Sequence, residues 1–466
     1  MRFVGRTSEL GRLRHALDQQ EASLVRVTGL RGGGKTALIR RAMADYDHLV
    51  HSASPFPDVA QRSELGRTVA RTRAARGVPG MPETPIPDWH EIFGSLLELA
   101  ASPSRPFVLV IDDAHRLTEA RSRYRDALAR VLDTARRERR PLHVVLVGPS
   151  AALPVDGALE QVLVDSIDVG PLHFRAACPL LPGSRPDDLL RAYAVFGGIP
   201  RVLAAVDRSA ALGTNVRRVI LTDDAVLADA GGTWLERDVQ TPARYYSILA
   251  TLAGGEADWS TVHAGLPDLT RSGQVAPYIR RLEELGLLVA RRSLDAGPRT
   301  RARRYALTDP FFATWIRFVL AAAPSRASGT SDLYSTVVRS ALDDHVARAF
   351  PSICRQHMAH DSIETLGAGV REMGSLWGAG YDLPVAGILT SGSAFYGACY
   401  WRPTEGVDTP LETLDRDLRE TRYGFGRERR LRLVFTGHTP PSWLQRDVAR
   451  RHDATVVDPM ALAGAD

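Results

Sequence analysis

Gly29-Leu30-Arg31-Gly32-Gly33-Gly34-Lys35-Thr36 decides how the rest of the chain is read. The stretch is G-x-x-x-x-G-K-T, the spacing of a phosphate-binding P-loop. Lys35 is the only lysine in the sequence; every other basic side chain of the 59 is arginine. A compact ammonium on a flexible stem can reach between β- and γ-phosphates, where a planar guanidinium is too wide. The glycines let backbone N–H groups turn inward onto phosphate oxygens. Arg31, Gly32, Gly33, Gly34, Lys35, Thr36 and Ala37 are therefore the candidate nucleotide contacts, and the Thr36 hydroxyl is a candidate ligand for Mg²⁺. Residues 23–28 read as a strand entering the loop. Residues 37–45 read as a helix whose N-terminus faces the phosphates. A chance glycine-rich turn would match the letters without strand, helix and unique lysine around it.

Phe107-Val108-Leu109-Val110-Ile111-Asp112-Asp113 is a continuous apolar run ending in two carboxylates. Such runs are central strands of parallel sheets, and ligands bind beyond their C-terminal ends. This is the Walker B arrangement: Asp112 is the candidate Mg²⁺ residue, and Asp113 stands where a base or water-orienting carboxylate is expected. Residues 142–150 give a third strand, ending at Ser150, a candidate sensor of the γ-phosphate. Lys35, Asp113 and Ser150 are the candidate catalytic residues. Asp88 to Leu99 reads as an amphipathic helix with Trp89 in the core, and the prolines at 55, 57, 79, 82, 85 and 87 indicate loops. The basic run Arg136 to Arg140 reads as a helix end.

The chain has 466 residues, enough for two to four domains. Hydrophobic content of 44% with 24% charged residues is that of a globular protein, and no apolar run approaches a membrane span. The polar start argues against a signal peptide. Cys178, Cys354 and Cys399 are too few and too scattered for a zinc set or a disulfide framework, which suits a reducing cytoplasm. Net charge is only +5, so nucleic-acid affinity would have to come from local basic patches.

Val4-Gly5-Arg6-Thr7-Ser8-Glu9-Leu10 opens the chain, with Thr7 as candidate N-cap of a helix carrying Leu10, Leu13 and Leu17. This opening, followed by the P-loop, resembles the STAND and AAA+ branches of P-loop ATPases, most closely the archaeal-type ATPases. The resemblance implies that Val4, Gly5 and Arg6 fold against the adenine. It also implies that an Asp at position 113, where many AAA+ members have Glu, goes with slow, switch-like turnover. Residues 171–240 read as helical, and Tyr193 to Pro200 matches the family's Y-x-x-x-G-G-x-P element in a helical lid. Gly198 and Pro200 are thereby implied as nucleotide contacts.

Tyr245, Ile248, Leu249 and Leu252 mark one helix, and Val275 to Leu285 another that ends at Gly286. Strands at 287–291 and 304–308 then flank Asp295-Ala296-Gly297-Pro298. That order is a winged helix-turn-helix. Six arginines and one aspartate from Ala290 through Arg304 suit a phosphate backbone. Candidate DNA contacts are Arg271, Gln274, Arg280 and Arg281 on a recognition helix, and Arg291, Arg292, Arg301, Arg303 and Arg304 on the wing. Winged helices also serve as oligomerisation and lid modules. Thr308-Asp309-Pro310-Phe311-Phe312 matches the linker helix of the same ATPases.

Residues 321–331 read as a linker. Beyond it, a helix broken at Pro351 and strands at 381–389, 394–401 and 431–435 form a last α/β unit. In the resembled family this unit has a restriction-endonuclease fold. Asp382 fits its single Asp, whereas Pro351, Ala398 and Tyr400 stand where a Glu, a Glu and a Lys would act. The expected fold class is therefore α/β: a P-loop NTPase with parallel sheet (1–170) and helical lid (171–240), a winged helix-turn-helix (241–322), and a restriction-endonuclease-like domain without activity (323–466). The expected function is a slowly hydrolysing ATP·Mg²⁺ switch acting on double-stranded DNA, with a homo-oligomer open and no membrane role. A non-hydrolysing nucleotide-binding scaffold for protein partners and an ATP-regulated nuclease are the alternatives.

Overall fold

The computed structural model describes residues 3–78, 88–101, 106–120, 123–149, 153, 155, 157–222, 225–228, 235, 239, 242–297, 299–320, 333–404 and 409–464. The prolines at 79, 82, 85 and 87, the turn residue Pro298 and the linker at 321–331 lie outside them. The chain divides into two units. One comprises Gly5–Gly170 with Glu284–Gly286; the other comprises Met1–Val4, Pro171–Glu283 and Leu287–Asp466.

In the first unit, β1 (Ser23–Thr28), β2 (Asp47–Ser52), β3 (Phe107–Asp112), β4 (Leu142–Gly148) and β5 (Leu163–Asp168) form one parallel sheet in the order β2-β3-β4-β1-β5. β3 and β4 are the apolar spine: Phe107 to Ile111 and Val144 to Val147 are all buried. Sequence reading found β1, β3 and β4 but neither edge strand. β2 exposes residues alternately and β5 is half polar, because an edge strand faces solvent on one side. The helix Asp58–Ala75 was also missed. Its inward stripe is Gln61, Leu65, Val69 and Arg73, so half of it is polar. Their donors find partners inside: Gln61 Nε2 donates to the Phe56 and Arg116 carbonyls, and Arg73 to Ser95 O at 2.8 Å and Glu98 at 2.6 Å.

Other local details differ from expectation. The helix Thr7–Leu17 has Arg6, not Thr7, at the N-cap, in a left-handed conformation with no side-chain cap. Asp88 caps Trp89–Gly94 with a capping box, but the helix pauses at Ser95 before Leu96–Leu99. Trp89 is core, as expected, and its indole N–H donates to Asp58 at 2.8 Å. In the basic run, Arg136 donates to Ala22 O and Arg140 to Leu97 O, tying the helix Arg123–Arg137 down.

The second unit begins with helices, among them Pro186–Phe196, as expected for 171–240. The helix Pro242–Ala253, β6 (Ala257–Asp258), the helices Trp259–Ala264 and Ala276–Glu284, then β7 (Leu288–Arg291) and β8 (Arg304–Leu307) follow, with β6-β8-β7 antiparallel. A final sheet takes the order β13-β12-β11-β10-β9, from β9 (Val370–Gly378), β10 (Tyr381–Leu389), β11 (Ala394–Tyr400), β12 (Arg430–Thr436) and β13 (Ala454–Val457). β9, β10 and β11 are antiparallel neighbours; β11, β12 and β13 are parallel. The preceding helix, Arg339–Leu366, is not broken at Pro351. It runs through that residue, and its one non-helical position is Asp361.

Two motifs far apart in sequence meet at one carboxylate. Asp309 is buried and accepts from Gly198 N at 2.7 Å and Phe311 N at 2.9 Å. A Cβ on Gly197 would lie 1.7 Å from Asp309 Oδ1, and one on Gly198 would lie 1.9 Å from Leu172 O. Both glycines are required by close approach. Burial pushes the Asp309 carboxyl from 3.8 up to about 7, against the pull of its two N–H donors. The folded state thus binds this proton more tightly than the unfolded chain. Stability from Asp309 is full below about pH 4 and is lost as pH rises through about 7. Nearby His345, lowered to about 4 by burial, acts in the opposite sense in any variant that keeps it. An Asp309→Asn protein should therefore melt lower than wild type at pH 5, with the gap in Tm shrinking by pH 7.5. A gap independent of pH in scanning calorimetry would remove this role from Asp309.

Candidate nucleotide-binding site

β1 ends at Thr28, the chain turns through residues 29–34, and the helix Lys35–Met43 starts at once. Gly29 (φ 140°), Gly32 (φ 79°) and Gly34 (φ 95°) take backbone conformations that side chains resist. At Gly29 a Cβ would also come within 2.3 Å of Val169 O, so the loop lies directly on the chain leaving β5. The helix has Gly34 as N-cap and no side-chain cap. Its first N–H groups are left for an outside acceptor, the standing requirement of a phosphate.

Lys35 Nζ donates to Gly29 O at 2.9 Å and Leu30 O at 3.0 Å, so the ammonium is folded back over its own loop. Burial lowers its pKa, and the carboxylates of Asp112, Asp113 and Asp168 oppose that shift. An ammonium has three N–H donors, so a phosphate oxygen can be met while part of this geometry persists. Thr36 Oγ1 donates to Asp112 Oδ2 at 3.1 Å across the sheet. These residues fit Mg²⁺: an oxygen-only pair, Thr36 and Asp112, beside a phosphate cradle. Asp112 Oδ1 accepts from Asp113 N at 2.9 Å, and Asp113 sits in the left-handed region (φ 52°) with Arg116 at 3.5 Å. A non-glycine residue held there marks a position the surroundings over-determine.

Sequence reading missed how Arg6 is used. Its guanidinium is largely buried; it donates to Gly33 O at 3.0 Å, to Gly170 O, and to Glu9 at 2.8 Å. Arg6 thus braces the loop from behind. Asp168 was missed with β5; it accepts from Thr28 Oγ1 at 3.2 Å. Arg31 is half-buried and Ala37 exposed; Ser150 lies outside the described residues. Val4, Gly198 and Pro200 belong to the other unit, where the Gly198 N–H is engaged by Asp309 and Pro200 is buried.

Residues 2–147 match the model of the AAA ATPase domain. The match contains the loop, Thr36 and the Asp112-Asp113 pair of this site. An uncharacterized protein of Methanocaldococcus jannaschii is similar along both units, 19% identical over 430 residues that cover 89% of this chain and 91% of that protein. The Walker-type ATPase of Pyrococcus abyssi is similar in structure, with a TM-score of 0.53 at 18% identity, over 68% of this chain and 96% of that one. The fold of the first unit is that of an α/β P-loop NTPase. No helix among the described residues is long and apolar enough to cross a membrane.

Of the residues expected at DNA, Arg271, Gln274 and Arg280 are exposed and Arg281 is half-buried. Arg292, Arg301 and Arg303 are exposed, but Arg291 pairs with Glu256 and Arg304 with Asp382. Burial lowers the Arg291 pKa to about 10. In the second unit, Pro351, Asp382, Ala398 and Tyr400 line one cavity of ≈ 440 Å³, with Glu256, Arg304 and Asp417 among its other walls. The four positions read against a nuclease set are thus neighbours, and three carry no catalytic group.

Replacing Lys35 by Ala should weaken ATP·Mg²⁺ binding by about 100-fold, ~2.7 kcal/mol, in titration calorimetry. Thr36→Ala should act mainly on the Mg²⁺-dependent part, leaving metal-free ATP binding within about twofold of wild type.

Proposed function

We propose that the protein is an ATP-binding, slowly hydrolysing switch whose nucleotide state governs binding to double-stranded DNA. The observation that carries the reading is the meeting of Lys35, Thr36 and Asp112 at an uncapped helix N-terminus. Lys35 and the loop N–H groups hold the β- and γ-phosphates. Thr36 and Asp112 hold Mg²⁺, which when bound offsets charge on the phosphate oxygens. Asp113, short and restrained beside Arg116, orients water poorly in this geometry, which agrees with slow turnover. Gly198 and Pro200 belong to a helical lid in this reading, and Ser150 senses the γ-phosphate.

The helix–strand–helix–helix–hairpin order of 242–307 supports a winged helix. Exposed Arg271, Gln274 and Arg280 on one side and Arg292, Arg301 and Arg303 on the hairpin then face the duplex. The C-terminal domain acts as a nuclease-like fold without cleavage, since Ala398 and Tyr400 replace the acid and the lysine. A second reading, a nucleotide-binding scaffold for protein partners or further copies of itself, is favoured by the two arginines of the hairpin already paired internally.

Three measurements test this. Phosphate release should be slow in wild type and absent in Lys35→Ala. A variant with Arg292, Arg301 and Arg303 changed to Ala should bind duplex DNA more weakly, with the log K against log salt slope flatter by about 2–3. An unchanged slope would favour the scaffold. Plasmid DNA should stay uncut in Mg²⁺ or Mn²⁺; cutting that Asp382→Ala abolishes would restore the nuclease.

A further inference from the structure

The arginine-rich segment between β7 and β8 does not stand away from the protein. Ser293 bridges Ser375 of β9, and Leu294 N donates to Ser375 O at 3.0 Å. Ser293 Oγ accepts from Trp377 N at 3.0 Å. Leu294 lies so close to Gly374 that a Cβ there would meet it at 2.9 Å. Asp295 accepts from the Tyr381 hydroxyl and from Thr421 Oγ1 at 3.1 Å. At the far end, Arg304 Nη1 is 2.9 Å from both carboxylate oxygens of Asp382, and its guanidinium lies 4.8 Å above the Trp377 ring. Residues 293–295 and 304 are pinned, while Arg299, Arg301 and Arg303 between them are exposed.

We propose that Asp295 and Asp382 latch this hairpin onto the C-terminal sheet, so that the sheet and a DNA backbone compete for it. The proposal rests on the DNA reading above. Its chemistry is substitution at one guanidinium: a phosphodiester offers Arg304 the same paired oxygens as Asp382 does. Asp382 is exposed, and exposed ion pairs contribute little to stability. A phosphate contact gains in addition from counterion release at low salt. The two holds are therefore of similar strength, and DNA with moderate salt can decide between them. The assignment also gives Asp382 a role in a cavity where Ala398 and Tyr400 leave the nuclease set incomplete. It faces a guanidinium where cleavage would need a metal ion.

The test compares the full-length wild type with an Asp295→Ala, Asp382→Ala double variant. An Asp45→Ala, Asp133→Ala protein makes the same change of net charge at two exposed aspartates elsewhere. Without DNA, hydrogen exchange at Leu294 and Trp377 should speed up at least about tenfold in the latch variant alone. With duplex DNA, that variant should bind about tenfold more tightly than wild type, with a salt slope steeper by about 1. Equal tightening in the charge control overturns the latch, as does unchanged exchange. Faster exchange with unchanged affinity, in a wild type that binds DNA, overturns the competition and leaves the DNA reading standing. Faster exchange with no DNA binding by any of the proteins overturns both.

Discussion

The hydrogen bond from Thr36 to Asp112 joins the start of a helix to the end of a strand two places away in the sheet. It exists only because β1, β4 and β3 run parallel in register, so that their C-terminal ends finish at one level. That alignment puts loop, hydroxyl and carboxylate on the same edge. Everything chemical in the first unit follows from it: the uncapped N–H groups, the folded-back ammonium and the strained Asp113. Without β4 between them, the two motifs would be correct in sequence and useless in space.

The parts of this arrangement that were legible in sequence are those under one dominant constraint. The P-loop needs glycine where φ is positive and an ammonium where phosphates meet, and few other residues do either job. β3 and β4 are buried on both faces and therefore read as unbroken apolar runs. Edge strands β2 and β5 obey two environments at once, so their composition resembles a loop. The helix Asp58–Ala75 hides its inward face because Gln61 and Arg73 are buried with partners that only the fold supplies. Pro351 was misread for a related reason. A proline lacks one N–H and disfavours a helix, but surrounding packing here carries the helix through. Arg6 also braces the loop through Gly33 O, a contact that nothing local in the sequence signals.

The second unit shows how a motif can have a structural reason that a functional reading does not need. The Gly-Gly-Ile-Pro element and the Thr-Asp-Pro-Phe element are one device, joined through Asp309. The carboxylate caps a helix and collects the amide of a glycine that no larger residue could replace. The hairpin arginines make a similar point about charge. A local excess of +5 in the sequence suggested a surface wholly available to phosphate, yet Arg291 and Arg304 are already held by Glu256 and Asp382. Charge along a chain reports what is present, and only the fold reports what is spare.

The single ammonium side chain has a chemical consequence of its own. Acylating reagents that seek primary amines have one side-chain target in this protein, and that target is tucked under two carbonyls. Modification at Lys35 would therefore report on the loop without interference from the surface. In a chain whose other cations are guanidiniums, the site carries its own address.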